Sequence, residues 1–576
     1  MATLAAVGLG ALVFLPFHGT PNLVAAGERL RPEPLPTAGP SPTARPTAGP
    51  SSVPPVSGLS PNVRVTRDRT PGSYRRADGT VDKTTRACST GRREQNEPSV
   101  AVDPRKPSVV AAGANELCTA IVSGDSWLGY YRSTDGGRAW RDSLVPGDPS
   151  DGTADGRASP AHGDCSVGSD PSLGFDPDGR LFYGFICFNR PERSEGQGFT
   201  RSSTFVATYD RDGGHYARTA LLGQGSRTVD EDKINLAVDQ TSGPHSGNVY
   251  AAWVELAPPR PGGFPQDLLR FTRSTDHGAT FSRPQPLSDL HHATNPDIAV
   301  GPDGSVYVTF LAGGGIFLAT STDGGRTFAV PLQVDTLGFA FESFDFSGGS
   351  GRDCGDKPFQ CATGYTFSRF GSYSTVAADE SGVHVAWNDR LESSGQVGES
   401  KILVKSSPDG QTWTQPAAPV DHATKGHEYF PDMASSGGVI TLAFYDSRND
   451  PAYDPFGPPG NTKDGKSPGG YMDTYVARSS DGGATWTEQR VSDRSSNQNL
   501  EIPGDVPFWG DYIYVTVARG TTIVGWTDSR DVQLGSGGTG GKDGFDTYEP
   551  CFGQAYVNDP CLSKGGHDEN IYVARI

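Results

Sequence analysis

STDGGRTF, Ser321–Phe328, is a polar, glycine-rich octet closed by an aromatic residue, and the chain writes it repeatedly. STDHGATF stands at 274–281, SSDGGATW at 479–486 and STDGGRAW at 133–140. SSPDGQTW at 406–413 carries its acid one place late, and YDRDGGHY at 209–216 is a worn sixth copy. Repetition of this kind is read before anything else, because it dictates architecture.

Each octet closes a longer unit. In PDIAVGPDGSVYVTFLAGGGIFLATSTDGGRTF, PDIAV alternates apolar and polar residues and predicts a strand, GPDG a turn, SVYVTF and GIFLATS two more strands. The same order starts near Glu97, Asp170, Asp232, Ser372, Glu428 and Gly510. Units of four short strands predict an all-β fold, a single β-propeller whose ring closure leaves few open edges. Seven blades are expected, with six the alternative if one unit is an insertion. The chain ends on NIYVARI, a third strand without a fourth, and NVRVT at 62–66 is the candidate to close the ring. The octet then lies between the third and fourth strands. Its Ser and Asp bond backbone N–H groups of the turn, its Gly takes positive φ, and its aromatic packs between blades. Asp135, Asp276, Asp323, Asp409 and Asp481 are accordingly expected to be structural.

Composition agrees. Of 576 residues, 75 are Gly and 46 Pro, which suits a turn-rich β protein. A net charge of −18 argues against a nucleic-acid partner. Leu4 to Phe17 is apolar but short for a membrane span, and Val24-Ala25-Ala26 offers a cleavage site, so residues 1–26 read as a signal segment, although the usual basic start is absent. Residues 27–61, rich in Pro, Ser, Thr and Ala, read as a linker, and 62–576 as the propeller. After signal removal no membrane-spanning segment is expected. Eight Cys in an exported chain predict disulfides, and proximity suggests Cys88–Cys118, Cys165–Cys187, Cys354–Cys361 and Cys551–Cys561.

The octets resemble the Asp-box (BNR) repeats of sialidases and their relatives, over roughly residues 97–576. The resemblance implies a secreted, monomeric, exo-α-sialidase-like glycoside hydrolase acting on a terminal, acidic or other, sugar of a glycan. Propellers with such repeats also include sorting receptors and assembly factors, so the alternative is a non-catalytic propeller that binds cell-surface glycan or protein.

Strand geometry puts the octets on one face and a central site on the other, where loops after the second strands also lie. Those loops repeat a motif of their own: WNDR at 387–390, FYDSR at 444–448 and WTDSR at 526–530. Arg390, Arg448 and Arg530 are thus candidates to clamp a carboxylate, as the arginine triad of sialidases does; the other reading is that each Asp–Arg pair ties down its own loop. Residues starting each unit share this face: Glu97, Asp170, Asp232 with Lys233, Asp297, Glu428 with Tyr429, and Asp511 with Tyr512, joined by Glu116. Sialidases attack with a Tyr paired to a Glu and use a separate Asp as acid/base. The resemblance therefore assigns Tyr512 (or Tyr429) with Glu428 as nucleophile and base, and Asp232 as the acid. The Arg-Ile-Pro motif of sialidases is missing: Glu97 stands near that arginine's place, where it would repel a substrate carboxylate, unless Arg92, Arg93 or Arg369 substitutes. No metal ligand set and no cofactor are expected, except that the acidic loops DPAYDPFG (450–457) and GFDTYEP (544–550) carry oxygen ligands of the kind calcium takes.

Overall fold

The computed structural model describes residues 61–90, 94–123, 125–189, 202–226, 229–257, 267–338, 371–393, 396–414, 418–420, 425–455, 471–497, 509–531 and 568–576. The signal and linker segments, Arg92, Arg93, Arg369, the GFDTYEP loop and Cys354, Cys361, Cys551 and Cys561 lie outside them.

Seven antiparallel sheets of four strands form the blades of a propeller. Their innermost strands are Gln95–Val102, Val167–Phe175, Asp230–Val238, Ala293–Val300, Ser374–Asp379, Glu428–Ser436 and Tyr514–Ala518. Each packs against the innermost strand of the next blade, and the seventh packs back on the first, so the ring is closed. The closing strand is the expected one: Val63–Arg64 pairs with Asn570–Arg575 in register Val63↔Val573, and completes the last blade from the other end of the chain. The first blade gains a parallel edge, Tyr74–Arg75. Two of the suggested disulfides fall in this part, Cys88–Cys118 and Cys165–Cys187.

Seven strands converging on one axis must carry small side chains there. Along each innermost strand, alternate residues face the axis. The position four residues beyond the bulge (below), or its counterpart, holds a small residue in every blade but the last, which has Thr: Ala101, Gly174, Ala237, Ala299, Ala377, Ala434 and Thr516. Intervening apolar residues such as Val100, Leu173, Leu236 and Ile298 are buried between blades.

All five octets form one turn. In the fourth blade Ser321 Oγ donates to Asp323 Oδ1 at 2.9 Å and accepts from the Gly325 N–H at 2.9 Å, while Asp323 accepts the N–H groups of Arg326 and Thr327, both at 2.9 Å. Gly325 has φ +76°, and a Cβ there would stand 2.9 Å from the Phe271 ring of the third blade. Phe328 meets the same ring edge-on at 4.7 Å, so the closing aromatic does pack between blades. The fifth blade corrects the alignment of SSPDGQTW. Ser407, not Ser406, plays the serine's part, donating to Asp409 at 3.0 Å, so the acid is in place and the turn is one residue shorter. Backbone N–H groups of Thr412 and Gln411 hold the Asp409 carboxyl down at about 2, and the hydroxyl and N–H of Thr485 do the same for Asp481.

Candidate functional site

Five innermost strands are interrupted by a β-bulge at the same place, on the face opposite the octets. The residue turned out by each bulge has positive φ without being Gly: Glu97 (53°), Asp170 (57°), Lys233 (52°), Asn295 (53°) and Phe430 (50°). Pro follows four of them, at 98, 171, 296 and 431, where the bulge has no use for an N–H donor. Tyr373 and Tyr512 stand at the matching places of the fifth and seventh blades. A non-Gly residue in this conformation costs of order 1–3 kcal/mol, and such strain concentrates at functional sites.

The bulges gather a charged cluster. Lys233 Nζ donates to Asp511 Oδ2 at 2.7 Å, across 278 residues of chain. The Tyr512 hydroxyl donates to Asp170 Oδ2 at 3.0 Å and lies 3.4 Å from Lys233 Nζ. The ammonium also sits over the rings of Tyr512, at 5.3 Å, and Tyr373, at 5.9 Å. Glu97 Oε2 accepts from Asn115 Nδ2 at 2.8 Å, and Ser169 Oγ donates to Asp170 Oδ1 at 2.7 Å. Desolvation, then the charges of Asp170, Glu97 and Asp511, pushes the Tyr512 phenol well above its ordinary value, so it is neutral unless a base takes its proton.

Two residues deeper, every blade contributes a polar side chain: Ser99, Ser172, Asn235, Asp297, Thr375, Asp432 and Tyr514. Several bind the next blade's backbone. Ser99 Oγ accepts from the Leu173 N–H at 3.0 Å, Ser172 Oγ from Leu236 at 3.0 Å, Asp297 Oδ2 from Val376 at 2.8 Å, Thr375 Oγ1 from Met433 at 3.1 Å, and Asp432 from Val515. The belt from Asn235 to Tyr514, with Lys233, Tyr373, Asp511 and Tyr512 above it, lines a cavity of ≈ 40 Å³, room for a few waters. Burial raises Asp297 to about 6, and burial with the Asp297 charge raises Asp432 well above the carboxylate range.

Of the residues singled out in the sequence, Tyr512, Asp511, Lys233, Asp170 and Glu97 meet here, and Asp297 lies in the belt below. Asp232 is buried beside them, its Oδ1 accepting from the Lys233 N–H at 2.9 Å. Glu428 is elsewhere: it accepts from Lys401 Nζ at 3.0 Å and the Ile402 N–H at 2.8 Å, tying the sixth blade to the fifth, so the carboxylate on the Tyr512 hydroxyl is Asp170 instead. Tyr429 is fully buried, with Arg390, also buried, near it. Arg448 Nε holds Asp446 at 2.6 Å, reaches Glu488 on an outermost strand at 2.9 Å and lies 4.1 Å over the Tyr475 ring. Arg530 binds Asp528 at 2.6 Å and Asp493, and lies 4.2 Å over Tyr572. Both guanidinium groups therefore face carboxylates and rings of outer strands. Glu116 ends the first blade's second strand, opposite Gln95, and is bound by the Tyr74 and Tyr131 hydroxyls. In the DPAYDPFG loop, Asp450 accepts from the Ala452 N–H at 3.0 Å and the Asp454 carbonyl faces His427 Nε2 at 2.9 Å. Asp170 and Glu97 could have been ranked above Glu428 from sequence: the X-Pro pairs NEP, SDP, TNP and YFP mark the bulges.

No family model and no curated protein matches the sequence. Among solved structures, the chain is similar to a protein of unknown function from Dyadobacter fermentans, at 15% identity and TM-score 0.38, over 70% of this chain and 97% of that one. It is similar to a Hadza microbial sialidase, at 14% identity and TM-score 0.37, over 74% and 72%. The alpha-l-arabinofuranosidase of Fusarium graminearum matches at 9% identity and TM-score 0.37, over 67% and 92%. These likenesses are distant in sequence and partial in superposition.

Proposed function

We propose that the protein is a secreted, monomeric, glycan-active propeller, a glycoside hydrolase of exo-α-sialidase type that removes a terminal sugar at the bulged face. The observation that carries this reading is the Tyr512 hydroxyl, 3.0 Å from the Asp170 carboxylate and 3.4 Å from the Lys233 ammonium, amid strained backbone. In the proposed reaction Tyr512 Oη attacks the anomeric carbon while its proton passes to Asp170. Lys233 stabilises developing phenolate charge. Asp232 protonates the leaving oxygen as the glycosidic bond breaks, and water then hydrolyses the glycosyl–tyrosine. With Asp232 carrying its proton as the acid, three carboxylates (Glu97, Asp170, Asp511) still face one ammonium, which favours an uncharged terminal sugar over a sialoside. Arg448 and Arg530 would clamp a substrate carboxylate only by exchanging Asp446 and Asp528 for it.

A second reading, a propeller that binds glycan without turnover, is favoured by the ≈ 40 Å³ cavity, too small to admit a sugar ring among its lining residues. A panel of fluorogenic sialosides and neutral glycosides decides between them. Turnover lost in Tyr512→Phe and Asp170→Asn supports the hydrolase. Turnover retained in both variants moves the site elsewhere, and binding on a glycan array without turnover in the parent supports the second reading.

A further inference from the structure

The axis has a second mouth, on the octet face, and it is the wider one. A cavity of ≈ 300 Å³ opens between the turns that follow the innermost strands, lined by Pro104, Arg105, Pro177, Gln240, Ser436 and Arg519, with Val517 and Ala518 at its wall. That volume is at the small end of pockets that hold organic ligands. We propose that this mouth is a binding pocket for a small saccharide carrying an anionic group, carboxylate or sulfate, independent of the bulged face.

Three observations carry the assignment. The first is the charge balance. Arg105 and Lys106 share Asp212, and Arg105 also faces Asp103 at 3.8 Å, so these four charges cancel. Arg519 is the surplus: it is exposed, and among the described residues it has no ion-pair partner. The second is backbone conformation. Arg519 and Gly520 form the two-residue turn of a hairpin with φ +46° and +74°. Such a turn calls for Asn-Gly, and an arginine in its first position is strained. The turn itself therefore gains nothing from this side chain, whereas a planar guanidinium at the rim of a cavity is suited to bind a carboxylate or sulfate bidentately. The third is the lining. Pro104 and Pro177 give rigid apolar edges, and the Ser436 hydroxyl and the Gln240 amide, whose Nε2 donates to the Phe175 carbonyl at 2.8 Å and so is held in place, supply neutral groups of the kind that bind sugar hydroxyls.

Arg519→Asn separates binding from folding, because Asn suits the turn better than Arg does. Glucuronate, N-acetylneuraminate, glucose 6-sulfate and uncharged glucose are titrated into the full chain by calorimetry and by amide NMR shifts. The expected result is saturable binding of at least one anionic sugar, with glucose at least tenfold weaker. In Arg519→Asn the anionic sugar should lose at least tenfold in affinity while the thermal midpoint stays or rises, and in Tyr512→Phe its affinity should be unchanged. A preference for the carboxylates over the sulfate, or the reverse, identifies the group. No saturable binding by the parent, affinity unchanged in Arg519→Asn, or affinity lost in Tyr512→Phe would each overturn the proposal. The last outcome would return the ligand to the bulged face, and failure of the hydrolase reading leaves this pocket untouched.

Discussion

The two ends of the propeller axis are built from the same seven strands and differ in almost everything else. At the bulged end the side chains are large, charged and mutually bound, and the space left is ≈ 40 Å³. At the octet end the strands finish on small or turn residues, the space is ≈ 300 Å³, and Arg519 has no ion-pair partner among the described residues. Position along an inner strand thus decides whether a polar group is consumed by the ring or offered to a ligand. The bulge is the device that makes the difference. It turns an extra residue toward the axis, so five blades place Glu97, Asp170, Lys233, Asn295 and Phe430 where a regular strand would have placed one side chain fewer.

The largest expected effect tests whether the crowded end does chemistry. On whichever glycoside the parent cleaves, Tyr512→Phe should lower kcat by ~10³-fold, with the thermal midpoint nearly unchanged. A fall in stability with unchanged kcat would make the cluster a strut. Lys233→Met asks how much of the cluster is structural. It removes the ammonium from a buried ion pair with Asp511, and unfolding in denaturant should show a loss of about 3–5 kcal/mol. A loss under ~1 kcal/mol would mean that water reaches Asp511 and that the bulged end is more open than its packing implies.

Ser321→Ala probes the octet face. It removes a donor to Asp323 and an acceptor from Gly325, and should cost about 1–2 kcal/mol in the same unfolding measurement. Acid then separates axis from rim. Asp297 is raised to about 6 in the folded chain, above its unfolded value, so its contribution is full below about pH 4 and is lost as pH rises toward 6. Asp481 is lowered to about 2, so its contribution is full above about pH 4 and is lost as pH falls toward 2. Thermal midpoints against pH should flatten between 4 and 6 in Asp297→Asn, and between 2 and 4 in Asp481→Asn. Swapped windows would break the distinction. The smallest effect is Arg519→Asn, which should stabilise the chain by no more than about 1 kcal/mol through relief of its turn.

The octets were legible because a turn is a local object. Ser, Asp, Gly and the aromatic of Ser321–Phe328 all act within eight residues, so repetition alone exposed the blades, and the unfinished last unit exposed the closure by Val63–Arg64. Even there the SSPDGQTW turn was misaligned, because a one-residue deletion leaves two serines to choose between and only the hydrogen bond to Asp409 selects Ser407. The site was legible as a face but not as a set of pairs. Tyr512 belongs with Asp170, 342 residues away, and the only local mark that sets that carboxylate apart from Glu428 is the Pro171 that follows it. Glu428 fails because Lys401 and the Ile402 N–H, on the neighbouring blade, bind it first. For Arg448 and Arg530 the contacts match the second reading of their motif: a D-S-R loop places each within reach of its own aspartate.

The seam between Val63–Arg64 and Asn570–Arg575 sets an order of events. Six blades are contiguous stretches of chain, and each can pair its strands as soon as it is made. The seventh cannot, because its outer strand emerges first and its partner last. Until residues 569 and 570 are available, Arg64 lacks its Asn570 partner and the Gln95 N–H lacks the Glu569 carbonyl. A chain lacking residues 570–576 would therefore keep six whole blades and the two inner strands of the seventh, and lose the seam. The seam is a clasp between residues 506 apart, and fastening it costs more loop-closure entropy than any pairing within a blade.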